Sequence, residues 1–519
     1  MTDPDERRNP PFERDPSLQV PPALLGRYNA RVLDPSTAVQ VPGQPQAMPT
    51  VYLADRLLVH GVADTAARDA LTEAAAQHGL ALQPPLLHEE RSRQRAELAR
   101  RAGVDGPSVH DSIAVNLVPT GTGPVEAPDA WRVLQTYRGN VGRAGAAGRQ
   151  VALDHLISAT RHTQGSPFPP RASAAPMPMD SYGTPGFGGR GPVQWMGARP
   201  HRSAEFSGRR PVVAVLDTGV GKHPWFDAVP GLITRDPHCG GAAIGFQDAA
   251  TDPEATGVIT DPLEGVLDSD SGHGTFIAGL IHQMCPDANI LSARVMPSDG
   301  AVPEHVLLDA LNLLALRQQL AQQEGREDEI IDILSLSLGY YHEQPEDVTF
   351  DPLLLHPLRA LAQTGVIIVA AAGNDATTRP MFPAAFTTFP GALGQDRAPI
   401  VSVGARNPDG TIALFSNGGD WVTCFRPGAG LVSTFPVTFD GSGQPPFRVE
   451  AADGTRAAYD PDNFSCGFGT WSGTSFAAPI LAGEIAAAMA GTSCLPVDAA
   501  AMIKRSWDAA GLTLNLEPR

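Results

Sequence analysis

PVVAVLDTGV, residues 211–220, reads as a buried strand running into a turn: five apolar residues in series, an aspartate, then Thr-Gly. A run apolar on both faces marks a strand covered on both sides, as in parallel sheets. The same grammar repeats downstream. HGTFIAGLIHQM (273–284) is helical in composition, ANILSARVM (288–296) strand-like, and VPEHVLLDALNLLALRQQLA (302–321) a long amphipathic helix. IIDILSLSLG (330–339) predicts a strand, DPLLLHPLRALAQTG (351–365) a helix, VIIVAAAGN (366–374) and PIVSVGA (399–405) strands, and SFAAPILAGEIAAAMAG (475–491) a helix. Strands alternating with helices predict an α/β domain with a doubly wound, mostly parallel sheet. Its expected span is 210–515.

Upstream, residues 50–162 show a second, smaller pattern. TVYLADRLLVHG, LALQ, SIAVNLVPT and VALDHLIS read as strands. ADTAARDALTEAAAQHG, HEERSRQRAELARRAG and APDAWRVLQTYRG read as helices between them. Two βαβ units in series predict an α+β domain of ferredoxin-like element order. Residues 1–49 are Pro-rich without sustained periodicity and predict a disordered or extended tail. Residues 163–209 are rich in Pro, Gly and Ser, the composition of a linker, and are expected to be solvated and open to proteolysis.

The chain has 519 residues, of which 42% are hydrophobic, enough for a sizeable core. With 53 Gly and 49 Pro, about a fifth of the chain is conformationally special, yet no Gly-X-Y period makes it collagen-like. A formal charge of −18 argues against a general nucleic-acid binder. No apolar run approaches a membrane span, and MTDPDERRNPPFERDPS lacks a secretory pattern. Five scattered cysteines (239, 285, 424, 466, 494) without CxxC fit a reduced, cytoplasmic protein. No cofactor or metal motif is read, so none is expected.

Four short segments carry chemistry. Asp217 ends an apolar strand, at the carboxyl edge where open α/β sheets place reactive groups. His273 lies between two glycines at a helix start, where small neighbours leave an imidazole open to approach. Ser475 opens an Ala-rich helix whose free N–H groups and partial positive charge would stabilise a developing oxyanion. Pro479 is assigned to that helix's first turn, where a missing N–H costs little. Asn374 follows a strand and a glycine, and its amide can donate to the same oxyanion. Each alone has a plain structural reading: a turn cap, a satisfied histidine, an N-cap, a turn asparagine.

Together, DTGV, HGT, SLSLG, AAGN and GTSFAAP, in the order Asp, His, Ser, resemble the subtilisin-like serine proteases over about Pro211 to Ala490. The resemblance implies Ser475 as nucleophile, His273 as general base and acid, and Asp217 as its orienting carboxylate. It implies an oxyanion hole from Asn374 and the Ser475 N–H, and a peptide-binding edge at Ser337, Leu338, Gly339 and Gly373. His273 and Asn374 separate the chain from the sedolisins, which use an acid base and an aspartate there. Tyr340 stands where many members carry Gly, and Met381 where a small residue often opens the primary pocket. The calcium loop that many members insert after the histidine has no room in LIHQMCPD, so that site is not carried over.

Two insertions depart from the family. The 56-residue interval between Asp217 and His273 holds an acidic loop, DAATDPEATGVITDPLEGVLDSDS. Asp268 and Asp270 there either favour basic substrate side chains or are solvated loop charge. The stretch VTFDGSGQPPFRVEAADGTRAAYDPDNFSCGFG predicts a hairpin near the site, with Cys466 expected as a buried small hydrophobe.

Family members are often made as zymogens with an α+β propeptide. Residues 50–162 fit that role or a regulatory one. The functional expectation is a serine endopeptidase acting on proteins or peptides through an acyl-enzyme, held latent by its N-terminal region. The alternative is a catalytically silent binding or scaffold protein on the same fold.

Overall fold

The computed structural model describes residues 16, 18, 20–41, 46–60, 65–84, 88–103, 112–121, 126–142, 150–159, 182, 189–344, 353–491 and 495–518. In the N-terminal domain the elements are β1 (Val51–Val59), α1 (Thr65–Gln77), β2 (Leu80–Gln83), α2 (His88–Arg101), β3 (Ile113–Pro119), α3 (Ala130–Val141) and β4 (Val151–Ala159). Their sheet runs β4-β1-β3-β2, with every neighbouring pair antiparallel. That is the split βαβ order of the ferredoxin-like plan, with α2 added. Leu71, Ala74, Trp131, Leu134 and Tyr137 from α1 and α3 pack on Leu57, Leu117 and Leu153 of the sheet.

The tail expected over 1–49 is folded where it is described. Pro22–Arg27 forms a helical turn, and Ala30–Val32 pairs antiparallel with β1. Arg31 bridges to Asp129, the residue that also caps α3. A three-residue strand is too short to leave a period in the sequence, so the proline content hid it.

In the larger domain the elements are β5 (Val212–Asp217), β6 (Ile233–Arg235), α4 (His273–Met284), β7 (Asn289–Arg294), β8 (Ala301–Pro303), α5 (Glu304–Glu324), β9 (Ile333–Leu336), β10 (Leu338–Gly339), α6 (Leu355–Gln363), β11 (Ile367–Ala371), β12 (Ile400–Arg406), β13 (Cys424–Pro427), β14 (Phe468–Trp471), α7 (Thr474–Ala490) and α8 (Ala499–Leu514). Seven strands form one sheet in the order β13-β12-β11-β9-β5-β7-β6, all parallel. Every residue of β5, β9 and β11 is buried, as their unbroken apolar runs require. Val213, Val215, Ile333 and Val369 face Phe276, Phe476 and Leu481 of α4 and α7. Ala214, Leu216 and Leu334 face the other way, toward Leu311 and Leu314 of α5. The sheet is doubly wound. No described helix is long and apolar enough to cross a membrane.

The linker expected over 163–209 is corrected in its second half. Residues 189–209 lie along the α/β domain as a strap. Gly191 and Pro192 pair antiparallel with Thr470 and Gly469 of β14, and Trp195 stacks on Phe468 with ring centroids 5.4 Å apart. Arg190 donates to the carbonyls of Leu267, Asp268, Ser269 and Ser271 at 2.8–3.2 Å. Arg209 makes a bidentate contact with buried Asp332, at 2.7 and 2.8 Å, which Arg505 of α8 reaches at 2.6 Å. Arg190 and Arg209 are anchors, each covering backbone oxygens or a carboxylate that burial would otherwise leave unpaired. Residues 163–181 and 183–188 lie outside the described residues.

The two domains share a sheet. β4 pairs antiparallel with β8 on one side and β10 on the other. Beside this, α2 lies on α5, with Arg91 and Arg95 on Asp309 and Arg101 on Glu324.

Candidate functional site

Because the sheet is parallel, β5, β9 and β11 finish at one edge, and the residues that follow them meet there. Asp217 closes β5. Its Oδ1 accepts from the Thr218 N–H at 2.8 Å and lies 2.7 Å from Nδ1 of His273. Donation from Nδ1 leaves the lone pair on Nε2, on the far side of the ring. Burial works against a charge on this imidazole, yet Asp217 outweighs it and raises the His273 pKa above its ordinary value. The ring rests against Phe476, centroids 5.2 Å apart, and edge-on to Trp471 at 5.8 Å. Phe476 adjoins Ser475, so α4 brings His273 against the start of α7.

The glycines around His273 serve close packing, a different reason from the open approach expected. Gly272 has φ +87°, and a Cβ there would sit 2.6 Å from Phe435. At Gly274 a Cβ would sit 2.1 Å from the Gly219 carbonyl oxygen, beside Asp217's turn. His273 itself is fully buried, as are Ser475 and Asp217.

Helix α7 begins at Thr474, so Pro479 falls in its second turn and not the first. A proline there cannot donate to the carbonyl four residues back, which is that of Ser475. The Ser337 hydroxyl donates to this carbonyl at 2.8 Å, while the Ser475 hydroxyl faces the Ser337 carbonyl at 3.4 Å. Ser337 follows β9 directly, so the missing N–H of Pro479 is what lets the central strand grip the helix at Ser475. Asn374 is fixed through its oxygen, which accepts from both N–H and hydroxyl of Thr474 at 2.9 Å. The Thr474 hydroxyl in turn accepts from the Gly373 N–H at 3.0 Å. This orients the Asn374 amide nitrogen toward the first turn of α7, 3.3 Å from where a Cβ on Gly473 would lie. The helix start carries partial positive charge there, so the Asn374 amide and the helix N-terminus converge beside Ser475.

The expected peptide-binding edge is occupied. Leu338 and Gly339 pair with Ala159 and Ser158 of β4. Gly373 has φ +107°, and a Cβ there would meet the Asn417 amide at 2.3 Å, so only glycine fits. Met381 reaches between these segments: its Sδ lies 2.4 Å from a Cβ on Gly373, and its Cε 2.4 Å from one on Gly339.

One residue absent from the sequence reading is Glu254, in the acidic loop. It is buried, accepts from the Thr218 hydroxyl at 2.5 Å and the Gly272 N–H at 3.1 Å, and takes the Thr275 hydroxyl at 2.5 Å on its other oxygen. It therefore ties the turn after Asp217 to the helix start at His273. Burial pushes its pKa up to about 8. In sequence it is one acid among many, and only its place after Asp252, which caps the short helix Pro253–Thr256, hinted at order. Asp268, weighed for substrate contact, accepts from the N–H groups of Ile259 and Thr260 at 2.8 and 3.0 Å and closes its own loop. Asp270 is buried and takes the Ser269 hydroxyl at 2.6 Å. Cys466, expected buried, is exposed, its thiol near the Phe468 carbonyl. The expected hairpin exists as Arg448–Ala451 and Gly454–Ala457, with both strands exposed.

A model of the Subtilase family matches residues 208–507. The chain is 25% identical over 243 residues to the minor extracellular protease Epr of Bacillus subtilis (strain 168), covering 45% of this chain and 29% of that protein. It is 26% identical over 307 residues to the serine protease AprX of the same organism, covering 53% and 56%. An intracellular serine protease of Paenibacillus polymyxa is 27% identical over 249 residues, covering 45% and 63%. The chain thus spans between 29% and 63% of the length of these relatives. Among solved structures, a cold adapted subtilisin-like serine proteinase matches at 21% identity and a TM-score of 0.33, over 57% of this chain and 81% of that one.

Two outcomes follow from the geometry. Ser337→Ala strips the hydroxyl from the buried Ser475 carbonyl and is expected to cost about 1–3 kcal/mol. The urea midpoint measures it, and an unmoved midpoint would contradict the role given to that hydroxyl. Glu254 is held neutral by the fold: between its ordinary pKa of 4.5 and its folded value of about 8, the native state keeps a proton that the unfolded chain has lost. Its contribution to stability therefore falls as pH rises through that window. In Glu254→Gln this fall is absent, so Tm declines less between pH 5 and 8 than in wild type; parallel Tm curves would count against it.

Proposed function

This chain belongs to the subtilase family, and on that premise we propose that it is a serine endopeptidase using Asp217, His273 and Ser475, kept latent by its own N-terminal domain. The observation that carries the reading is the buried 2.7 Å contact between Asp217 and His273, set against the start of the helix that bears Ser475. In this reading the Ser475 hydroxyl attacks the peptide carbonyl while His273 Nε2 takes its proton. Asp217 holds the ring in the tautomer that leaves Nε2 basic and stabilises the imidazolium that forms. The tetrahedral oxyanion lies among the Asn374 amide, the Ser475 N–H and the first turn of α7. Collapse releases the amine, protonated by His273, and leaves an acyl-enzyme that water hydrolyses by the same steps reversed.

Latency is supported by the place of β4. A peptide substrate would add as a strand against Leu338–Gly339, since backbone pairing selects an extended shape over a sequence. β4 already makes those pairs, fills the gap to β8, and buries Ile157 completely. Its substrates are proteins or peptides with an extended segment. As for location, the relatives include proteins named extracellular and intracellular.

A fluorophosphonate that acylates active serines tests both parts on the full-length chain. Wild type is expected to label and Ser475→Ala not to. Ile157→Ala removes a buried side chain at a cost of about 2–5 kcal/mol, loosening β4. It should label faster and hydrolyse casein faster than wild type. If neither folded wild type nor the Ile157 variant labels, the chain is a silent binding protein; if they label equally fast, latency through β4 is wrong.

A further inference from the structure

His155 of β4 points into the α/β domain and meets a receptor built wholly from that domain. It is 2% exposed, with Nδ1 2.7 Å from Glu304 Oε2 and Nε2 2.8 Å from Glu343 Oε2. Tyr340 lies against its ring, centroids 4.5 Å apart at 29°, and the Tyr340 hydroxyl is 3.5 Å from the other oxygen of Glu304. His342 packs at 5.3 Å and lies 3.6 Å from Glu343. Burial opposes charge on His155, but its hydrogen bonds to Glu304 and Glu343 outweigh that and lift its pKa to about 10. It is held as a cation. His155, His342 and Glu343 also have the spacing of metal ligands. An imidazolium donating from both nitrogens, however, has no lone pair for a metal.

Two carboxylates and an aromatic face form a receptor for a flat cation: the acids take hydrogen bonds in the plane, and the ring takes the charge above it. Glu304 follows β8 and Glu343 follows β10, the two strands that flank β4. The receptor therefore borders the groove, and on its other side the Glu343 carbonyl accepts from the Met48 N–H at 2.7 Å. We propose that Glu304, Glu343 and Tyr340 form a specificity site for a basic side chain of the substrate, arginine above all, and that His155 fills it in the latent chain. This rests on the peptidase reading above. The register fixes the position. Ala159 pairs with Leu338, so the next residue of a strand lying as β4 does falls opposite Ser337, beside Ser475. His155's place is thus five residues before the one whose carbonyl is attacked.

Quenched-fluorescent peptides differing only at that position, with arginine, norleucine or glutamate, test it on full-length protein, with rates taken per fluorophosphonate-labelled serine. Wild type is expected to cut the arginine peptide at least about ten-fold faster in kcat/KM than the glutamate one, with norleucine between. In the Glu304→Gln/Glu343→Gln double variant the ratio should shrink to about two-fold. Labelled wild type that shows no preference overturns the proposal, whatever the variant does. A wild-type preference that survives in the folded double variant also overturns it. A chain that labels nowhere instead defeats the peptidase reading. A second measurement needs no peptide: Ser475 should label slowly in His155→Arg, which still fills the receptor, and faster in His155→Glu, which two carboxylates repel. Equal labelling of these two overturns the proposal as well.

Discussion

All seven strands of the large sheet run one way, and this single constraint makes the rest possible. Parallel strands end together. Asp217 at the end of β5, Ser337 after β9 and Gly373–Asn374 after β11 lie 120 and then 36 residues apart in the chain, yet they arrive at one edge. The helices must then be brought to that edge, and small chemical details do it. Gly274 lets α4 come within contact of the Asp217 turn. Pro479 frees the Ser475 carbonyl for Ser337, and Thr474 fastens Asn374. Change the direction of one central strand and no choice of side chains would restore the meeting.

The parts legible in the sequence were those with a local signature. The apolar runs of β5, β9 and β11 could be read because burial on both faces allows little else. Asp217, His273, Asn374 and Ser475 could be picked out because each closes or opens an element beside small residues. The ferredoxin-like order also came through, since its helices and strands are long enough to show a period. What escaped depends on partners far away in the chain. Glu254 is meaningful only beside Thr218 and Thr275, and His155 only between Glu304 and Glu343. Arg190 and Arg209 are meaningful only beside the carbonyls of 267–271 and beside Asp332, which receive them. Pro479 lies less than one helical turn from the place composition assigns it, because composition does not fix a helix boundary that closely.

Buried acid and base groups mark the joints of this molecule. Asp332 fastens the strap and α8 to the base of the sheet, and Glu254 fastens an inserted loop to the two segments around Asp217 and His273. His155 fastens one domain to the other. Each has its hydrogen-bonding capacity met by groups from different elements, which offsets the cost of leaving water. The same accounting explains why the strap is ordered despite its glycine and proline content: its arginines and Trp195 have definite partners, and a tether would have none.

The shared sheet has one more consequence. β8 and β10 both pair with β4 and not with each other, so they stand two strand spacings apart, about 9–10 Å. Take β4 away and what is left is a slit with bare amides and carbonyls on both walls, too narrow for a helix of about 10 Å diameter. Its width matches a single extended strand, whatever side chains that strand carries.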